Sequence, residues 1–558
     1  MLKMVSVFKK QEYSFLYILL LIVYVIGLFI PLMENDSAQH ATMAMRMYLE
    51  NDFLNIYRGE NPYLDKPHLH FWLSALAFKI FGVYHWAYRI PALVFTFSGA
   101  YACYKLANEL YRKESGHFAA LIFLSAQAIF LANHDVRTDA VLTGAVILSL
   151  WQLVCYINHE KLKHLIFGAF FAALAFSTKG LLGVFILGVC TLSYVLYKRK
   201  LVLVFNWKSI IGLLVFVLSI SPVLYAYYYQ FDLHPEKVFN GQKNVSGVKF
   251  ILWDQSFNRL TSHGFKPTSP DYLFFFHTIL WAFLPWSLLF YAALFTRIKQ
   301  HINAKFKYVN MQETLTSVGV LTALIVMSFS KFKLPHYLNS IFPVAAVLVA
   351  GYILFLKENN KTKALSIFLK TQYLTLGLGS VFVVFLSIWA FNISNKVFII
   401  GLLAFVIITI YFFKKNYATH KKLIIVSVLF MVLINYCLNY QFYPNLLNYQ
   451  AGNNASKIIT LENINSNNVY ILKGKQSWSL EFYAQKNLQR ISANKLNTLE
   501  KGTWLFAYKQ QLDTLKTQVN FSKKHEFKHY RVTKLKFDFL NPKTRHKTLK
   551  KAYLLQIN

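Results

Sequence analysis

Long apolar stretches separated by short charged segments dominate this chain and limit what it can fold into. Most stretches approach the ~20 residues that a helix needs to cross a bilayer core about 30 Å thick. A soluble protein of 558 residues could not cover them, because 56% of the residues are hydrophobic and only 15% are charged. The stretches lie near residues 13–33, 87–107, 117–133, 140–158, 164–178, 181–197, 209–229, 272–296, 312–329, 337–356, 366–391, 397–413 and 422–439. We therefore predict an α-helical polytopic membrane protein with about thirteen transmembrane helices.

Basic residues predict the orientation of these helices. Lys3, Lys9 and Lys10 precede the first stretch, and clusters of Lys and Arg recur at every second loop after it. Because such residues concentrate in cytoplasmic loops, the amino terminus is expected in the cytoplasm. The alternation requires that the short apolar segment Leu69 to Phe81 not cross the membrane, and because it is too short to do so we expect an interfacial or re-entrant helix there. An odd number of spans then places the carboxy terminus on the periplasmic side of a bacterial inner membrane.

Two outer loops are long, at residues 34–68 and 230–271. The first contains the amphipathic stretch Ala38 to Leu49, which follows Asp36 and Ser37 as candidate helix caps. We therefore predict that this loop carries an interfacial helix of its own.

Residues 440–558 contain no apolar stretch long enough to span a bilayer. Short β-like runs at Val469–Leu472, Trp504–Tyr508 and Tyr553–Ile557 alternate there with helix-like segments. The sequence thus predicts a transmembrane domain over residues 1–439 and a soluble periplasmic α/β domain over residues 440–558. Its 20 Lys and Arg against 6 Asp and Glu would suit anionic lipid or an anionic substrate, or simply give a basic solvated surface.

The charge of the whole chain, +35, does not indicate nucleic acid as a partner. A membrane protein carries basic residues in its cytoplasmic loops and beside anionic headgroups, and no basic stripe with interleaved aromatic residues lies in a nucleic-acid-binding motif. Motifs for soluble nucleotides and catalytic metals, such as a P-loop, a Gly-rich dinucleotide fingerprint, H-E-x-x-H or Asp-x-Asp, are also missing from the sequence. The substrate is therefore expected to reside in the membrane.

Charged residues on the predicted outer face are candidates for the chemistry. Glu34 and Asp36 follow the first span, and Asp65 and Lys66 close the first loop. An acid at a helix start can act as a general base and a Lys can hold a phosphate, although a single carboxylate there is as often a helix cap or interface marker. Other outer turns add Arg137, Asp139, Lys179, Arg259, His263, Lys331, Lys333, His336 and Tyr337. Basic residues on this face run against the positive-inside rule, and a clustered anion-binding site is the simplest reason.

At these positions the chain resembles the lipid-linked-sugar glycosyltransferases of the GT-C superfamily, in particular the bacterial aminoarabinose transferase and protein O-mannosyltransferase-like group (ArnT/PMT-like). Their first outer loop begins Asp-Glu-x-Arg-Tyr-Ala, continues to a Met and an Asp-Trp pair, and closes with Tyr-Phe-Glu-Lys-Pro. Matching spacings are found at Asp36 to Ala41, Met47, Asp52–Phe53 and Tyr63 to Pro67. Further matches are Thr138–Asp139, Thr178–Lys179–Gly180, Arg259, Pro285–Trp286 and Lys331 to Tyr337. The resemblance covers roughly residues 30–345.

The resemblance implies roles for several of these residues. Asp36 is similar to the family's catalytic Asp and Lys66 to its phosphate-binding Lys, with Arg259 as a second phosphate contact. Family residues are replaced at four positions, by Ser37, Gln39, Asp65 and Ser256, the last where the aminoarabinose enzymes often place a His near the loop Arg. These replacements leave the sugar open, as well as whether a divalent metal is bound; no other cofactor is implied.

The leading hypothesis is an inverting glycosyltransferase that moves a sugar from a polyprenyl-phosphate donor to a lipid, glycan or protein acceptor at the periplasmic face. Its expected partners are that donor, the acceptor and membrane lipids. An alternative is a lipid or polysaccharide transporter or flippase, which predicts charged residues near the bilayer midplane and an internal repeat; the sequence shows neither. A purely structural scaffold would leave the outer-face charges unexplained. The oligomeric state stays open.

Overall fold

The structure is a computed structural model that describes residues 2–239, 241–261, 270–309, 311–393, 395–515 and 520–558. Within these ranges the chain forms a large bundle of apolar helices followed by a small five-stranded sheet. The predicted fold class, a helical membrane protein with a carboxy-terminal α/β domain, is therefore confirmed. His263 and part of the predicted loop 230–271 lie outside the described residues.

The first half of the chain contains ten helices within the described ranges. They are α1 (Leu2–Leu28), α2 (Asp36–Leu49), α3 (Leu69–Phe81), α4 (His85–Leu110), α5 (Lys113–Ser125), α6 (Gln127–His134), α7 (Asp139–His159), α8 (Leu162–Lys179), α9 (Leu181–Tyr197) and α10 (Trp207–Tyr227). A two-residue hairpin of β1 (Tyr57–Arg58) and β2 (Asn61–Pro62) lies between α2 and α3. One π-helical turn, Tyr228–Asp232, extends α10.

The described part of the second half continues with shorter and more broken helices. They are α11 (Gly247–Lys249), α12 (Gln255–Thr261), α13 (Phe274–Ala282), α14 (Ser287–Asn303), α15 (Val320–Ser328), α16 (Phe342–Glu358), α17 (Thr362–Ala390), α18 (Lys396–Lys414), α19 (Thr419–Cys437) and α20 (Tyr443–Leu447). The turns Phe250–Asp254, Leu315–Gly319 and Leu438–Phe442 are π-helical, and Pro335–Ser340 is a 3₁₀ helix.

Six helices in the described ranges are long and apolar enough to cross a membrane, and a seventh is added if the bent pair α5 and α6 is one span. The six are His85–Leu110, Asp139–His159, Trp207–Asp232, Thr362–Ala390, Lys396–Lys414 and Thr419–Leu447. Other predicted spans are helical but short or interrupted. A helix of 17 residues such as α9 rises about 26 Å, slightly less than a bilayer core. The number of thirteen spans therefore stays a prediction.

The first outer loop folds as two helices that pack on each other, α2 and α3. The bounds of α3, Leu69–Phe81, are those of the segment expected not to cross the membrane. The helix α2 begins at Asp36, earlier than predicted, with Asn35 in the N-cap position and no side-chain cap. The expectation that Asp36 or Ser37 caps the helix is thus wrong, because the Asp36 carboxylate lies beside Arg137 instead.

The carboxy-terminal domain contains a mixed sheet with the strand order β4-β3-β5-β7-β6. The strands are β3 (Val469–Leu472), β4 (Gln489–Ile491), β5 (Trp504–Tyr508), β6 (Phe521–His529) and β7 (Lys550–Ile557). The first three run parallel, and β7 is antiparallel to both β5 and β6. The three predicted strands are confirmed, although the last starts earlier. Short helices complete the domain: α21 (Ala451–Leu461), α22 (Trp478–Tyr483), α23 (Lys509–Leu512), α24 (Phe537–Leu540) and α25 (Arg545–Thr548).

The predicted boundary at residue 440 falls inside helix. The last apolar helix continues from Thr419 to Leu447, and α21 starts only four residues later. The apolar face of α21 packs on the sheet through Ala451, Ala455 and Ile459. The division into domains at residue 440 stays a prediction, with the structural change lying a few residues beyond it.

Candidate active site

The two long outer loops and the turns before α7, after α8 and before α16 surround one large cavity. Its volume is about 1280 Å³. Nine of the predicted site residues line it: Asp36, Asp65, Lys66, Arg137, Asp139, Lys179, Arg259, His336 and Tyr337. Residues from six separate parts of the sequence are thus brought to one place, with four cationic and three acidic side chains among them.

Asp36 presents an accessible carboxylate to this cavity. Its side chain is 55% exposed, and Oδ2 lies 3.3 Å from Nη1 of Arg137. The same guanidinium binds Asp135 more closely, at 2.6 Å, and its Nη1 lies 3.3 Å from Nδ1 of His336. Arg137 is therefore shared between two acids, so it orients Asp36 without fully neutralising it.

Asp65 holds two cations at the cavity wall. Its carboxylate lies 2.9 Å from Nζ of Lys66 and accepts a hydrogen bond from Nη2 of Arg259. Burial alone would raise the pKa of Asp65, but the charges of Lys66 and Arg259 outweigh it and hold that pKa well below its usual range. One carboxylate thus faces two positive charges, which leaves a surplus positive charge to attract an anion.

Lys66 is the cation of this group that titrates most easily. Burial and the charge of Arg259 lower the pKa of Lys66 to about 8, although Asp65 opposes them. The side chain is largely enclosed, with 14% of its surface exposed. An anion bound beside Lys66 would favour its protonated form, so anion binding and protonation are coupled.

Asp139 and Lys179 form a buried pair behind these groups. Nζ of Lys179 lies 2.5 Å from Oδ1 of Asp139 and 4.7 Å from the centre of the Tyr337 ring. Asp139 begins α7 and Lys179 ends α8, the helix ends at which each charge is favoured. Gly180 then turns the chain with φ of 65°, and a Cβ there would clash with the Gln255 side chain. The Thr-Lys-Gly turn therefore fixes the direction of Lys179.

Three predicted site residues lie outside the cavity lining: Glu34, Lys331 and Lys333. Oε1 of Glu34 accepts hydrogen bonds from Ser477 and Ser479 of the carboxy-terminal domain at 2.8–3.2 Å. Nζ of Lys333 donates to the Asp271 carbonyl at 3.0 Å. The roles suggested for these residues stay predictions, and the placement of Glu34 and Lys333 favours contacts between segments.

Several residues that line the cavity were not predicted. They are Gln39, His40, Arg58, Lys243, Lys249 and Asp254. His40 is 95% buried, since only 5% of it is exposed, and burial holds its pKa well below the usual value, so its ring is neutral. Positions three and four after Asp36 share its helix face, a spacing that could have identified Gln39 and His40. The others lie on short elements and turns of the two long loops, whose path the sequence does not predict.

Within the described ranges, no group of three or more His, Cys, Asp or Glu side chains is arranged to hold a metal ion. The binding of a divalent metal stays open, as it did from the sequence.

Several known proteins are similar to this chain in sequence. The model of the family described as dolichyl-phosphate-mannose-protein mannosyltransferase matches residues 65–226. The undecaprenyl phosphate-α-4-amino-4-deoxy-L-arabinose arabinosyl transferase 1 of Proteus mirabilis is 22% identical over 366 residues, covering 64% of this chain and 62% of that protein. The corresponding transferase of Pseudomonas aeruginosa is 23% identical over 363 residues, 63% of this chain and 61% of that one.

A solved structure extends the likeness to nearly the whole molecule. The crystal structure of ArnT from Cupriavidus metallidurans bound to undecaprenyl phosphate superposes with a TM-score of 0.73 and 15% identity, covering 97% of both chains. The chain therefore shares the fold of this ArnT structure. The resemblance to the ArnT/PMT-like proteins that the sequence indicated is confirmed by the family model, the curated relatives and this structure.

The sequence match between this chain and its curated relatives is partial. The aligned region spans about 62% of the length of the first relatives, and the family model begins at Asp65 and ends in α10. It includes Asp65, Lys66, Asp139 and Lys179 but not Asp36. The fold is shared over 97% of both chains, whereas the sequence match covers only part of the relatives' length. Activity and substrates are therefore inferred from the residues of the cavity.

Proposed function

We propose that this protein is an inverting glycosyltransferase that uses a polyprenyl-phosphate-linked sugar as donor. The observation that carries the proposal is the cavity that joins the accessible Asp36 carboxylate to the cationic pair Lys66 and Arg259. A base and a cationic phosphate site are the two functions that this reaction needs. The relatives from Proteus mirabilis and Pseudomonas aeruginosa are named as transferases of undecaprenyl-phosphate-linked aminoarabinose, which agrees with this donor class.

In this mechanism Asp36 accepts the proton of the acceptor's nucleophilic group. The nucleophile attacks the anomeric carbon of the sugar, the bond from that carbon to the phosphate oxygen breaks, and the electron pair stays on the phosphate. Direct displacement from the opposite face inverts the anomeric configuration. Arg137 orients the Asp36 carboxylate, with 3.3 Å between Nη1 and Oδ2. The carboxylate can still accept a proton, because the shorter contact of Arg137 is to Asp135.

Lys66 and Arg259 would stabilise the charge that develops on the leaving phosphate. Both are positioned by Asp65 before the donor binds, so they need little rearrangement during the reaction. Arg259 offers a planar fork of donors and Lys66 a point charge, which suits a phosphate with several free oxygens. Lys179 contributes positive potential from behind, although Asp139 balances it.

The membrane helices and the cavity at the end of the bundle suit a bacterial inner-membrane protein that acts at the periplasmic face. The basic residues of alternate loops support a cytoplasmic amino terminus and a periplasmic carboxy-terminal domain. The acceptor, whether lipid, glycan or protein, stays open.

A transfer assay tests the proposal against the transporter alternative. Purified protein in proteoliposomes would receive a radiolabelled polyprenyl-phosphate sugar together with envelope lipid or protein fractions. A glycosyltransferase links the label covalently to a new acceptor, and Asp36→Asn lowers the rate of this linkage by about 10²–10⁴-fold. Label that crosses the bilayer while remaining on the polyprenyl phosphate would support a flippase instead. Mass spectrometry of envelope glycolipids and glycoproteins, with and without the gene, would identify the acceptor.

A further inference from the structure

A second cavity, of about 200 Å³, lies in the carboxy-terminal domain and shares no lining residue with the first. It is found where the parallel strands β3 and β5 end and the antiparallel strand β7 begins. This edge of a parallel sheet is where α/β domains commonly bind ligands. The lining is strongly basic: Lys475, Tyr508, Lys509, Gln510, Leu549, Lys550 and Lys551.

Lys475 occupies an unusual place in this cavity for a charged side chain. Its Nζ lies 3.6 Å from the centre of the Tyr508 ring and 3.1 Å from Nε2 of His529. Burial lowers the pKa of His529 to about 3, so its ring carries no charge. Neither neighbour offers a negative charge, although both contact the ammonium. The partly enclosed ammonium of Lys475 therefore contacts two polarisable but uncharged rings, those of Tyr508 and His529.

The neighbouring lysines add positive charge that is only partly balanced. Among the described residues, no carboxylate lies within 4.0 Å of the ammonium groups of Lys475, Lys509 or Lys550, while Lys551 pairs with Glu526 at 2.8 Å. Burial and the charges of Lys550 and Arg531 lower the pKa of Lys475 to about 8, although the charge of Glu34 opposes them from beyond contact distance. Clustering cations with too few counter-ions costs free energy, which a bound anion would recover.

The position of this cavity indicates where its anion comes from. Ser477, two residues after Lys475, contacts Glu34 just beyond α1, so the cavity edge faces the helical domain. The segment that leads into Lys550 contacts the end of α17, where Phe537 stacks on Trp389 with ring centres 5.8 Å apart and Arg545 donates to the Ala390 carbonyl. Phe537 remains 69% exposed, as expected for a side chain at a membrane boundary.

We infer that this basic cavity binds a phosphate group, separately from the main cavity, and that the phosphate belongs to a lipid headgroup at the membrane surface. Lys475 and Lys550 would contact the phosphate oxygens, and Tyr508 would hold Lys475 in place. Phosphate binding at this second cavity does not require glycosyl transfer, so it can be tested independently of the proposed function.

Protection of Lys475 from acylation tests this inference in the full-length protein in neutral detergent. A lysine reagent is applied at neutral pH, and modification of each lysine is measured by peptide mass spectrometry. The probes are dihexanoyl phosphatidic acid and inorganic phosphate, with dihexanoyl phosphatidylcholine, whose zwitterionic headgroup has no net charge and a choline-blocked phosphate, as the control. At a probe concentration ten times its Kd, Lys475 should react about tenfold more slowly, because only the unbound fraction is reactive. The exposed Lys495 should react at an unchanged rate with every probe.

The variants localise the effect and separate the two cavities. Lys550→Gln should raise severalfold the probe concentration needed for half protection of Lys475, and Lys495→Gln should leave it unchanged. In Lys66→Ala, whose main phosphate site is removed, protection of Lys475 should persist. Tighter protection by phosphatidic acid than by phosphate identifies the lipid source, and equal protection by both would replace it with free phosphate. No protection by either probe, or protection lost in Lys66→Ala, would overturn the site.

Discussion

The Asp36 carboxylate is the residue on which the proposed reaction depends most directly. Asp36→Asn keeps the side-chain shape and removes the proton acceptor, so turnover should fall by about 10²–10⁴-fold. Donor binding should be retained, since Lys66 and Arg259 are unchanged. The measurement is sugar transfer by purified protein, together with donor protection against proteolysis. An Asn variant as active as the wild type would move the catalytic role elsewhere.

Asp139→Asn is the matched comparison, because it changes a second carboxylate of the same cavity. Asp139 is paired with Lys179, whose side chain is 1% exposed. Removing one partner of a buried ion pair leaves an uncompensated charge and costs about 3–5 kcal/mol. We therefore expect Asp139→Asn to lower the Tm of the purified protein clearly, whereas the half-exposed Asp36 should be replaced with little change in Tm.

Lys66 gives the donor site a predictable pH dependence. With a pKa of about 8 in the free protein, Lys66 is protonated below this pH and loses its charge above it. Donor KM should therefore be nearly constant below pH 8 and rise as pH increases, by about tenfold at one unit above the pKa. Lys66→Arg stays charged and should abolish this rise while recovering only part of the affinity that Lys66→Ala loses. An unchanged rise in the Arg variant would assign the titration to another group.

The sequence identified many residues of the site but not which of them face it. Asp36 could be found because it follows an apolar span at a helix start, whereas Lys66 and Arg259 were indicated by basic residues on the predicted outer face and by the family resemblance. Glu34 lies two residues before Asp36 and points into the carboxy-terminal domain, a difference that depends on the path of a loop. His40, one helical turn after Asp36, could have been predicted from the spacing once the start of α2 was known.

At the scale of elements, hydropathy located helices well but did not predict their breaks. The predicted span 117–133 bends by 54° at Ala126, and the span 272–296 separates into α13 and α14 around Leu284. The two breaks meet, since the amide of Gln127 donates to the Leu284 carbonyl at 2.9 Å. Trp286 also donates from its indole to Ser125 Oγ at 3.0 Å. A backbone amide at one break thus donates to a backbone carbonyl at the other, so each break provides a partner that the interrupted helix no longer supplies. A local sequence pattern does not show such a contact between distant segments.

The contact between the first loop and α22 can be tested as a link between elements. Glu34 Oε1 accepts bonds from Ser477 Oγ at 3.2 Å, from the Ser479 amide at 2.9 Å and from Ser479 Oγ at 2.8 Å. Glu34→Ala leaves these donors unsatisfied, so the free energy of unfolding should fall by about 1–3 kcal/mol. Hydrogen exchange in residues 477–483 should become faster.

Glu60→Ala is the control for this link. Glu60 lies 3.4 Å from Lys473 of the same domain, but both side chains are about half exposed, and such a pair contributes little. Its Tm and hydrogen exchange should match those of the wild type. If Glu34→Ala behaved the same way, the other contacts between the loop and the carboxy-terminal domain would be sufficient, such as Phe78 against Phe482 and the hydrogen bond from Thr42 to the Trp478 carbonyl.

At the scale of the whole molecule, composition and hydropathy predicted a helical membrane protein with a terminal α/β domain, and the structure has both. The number of crossings is harder to predict, because α9, α15 and α16 are each shorter than the usual span and α13 and α14 share one apolar stretch. Apolar length measures exposure to lipid and does not distinguish a short spanning helix from one that turns back. The side of the membrane on which the carboxy-terminal domain lies depends on whether the number of membrane-spanning segments is odd.

Alkaline phosphatase fusions test that number directly. Six predicted spans precede Lys200 and seven follow it, so a fusion after Lys200 should lie in the cytoplasm and one after Asn558 in the periplasm. Because the enzyme needs disulfides that form only in the oxidising compartment, it should be inactive at Lys200 and active at Asn558. Activity at both positions would mean an even number of spans after Lys200, and the broken pair α13 and α14 would then be the first place to look for a re-entrant segment. Activity at Lys200 alone would reverse the orientation and place the cavity on the cytoplasmic side, away from an acceptor at the periplasmic face.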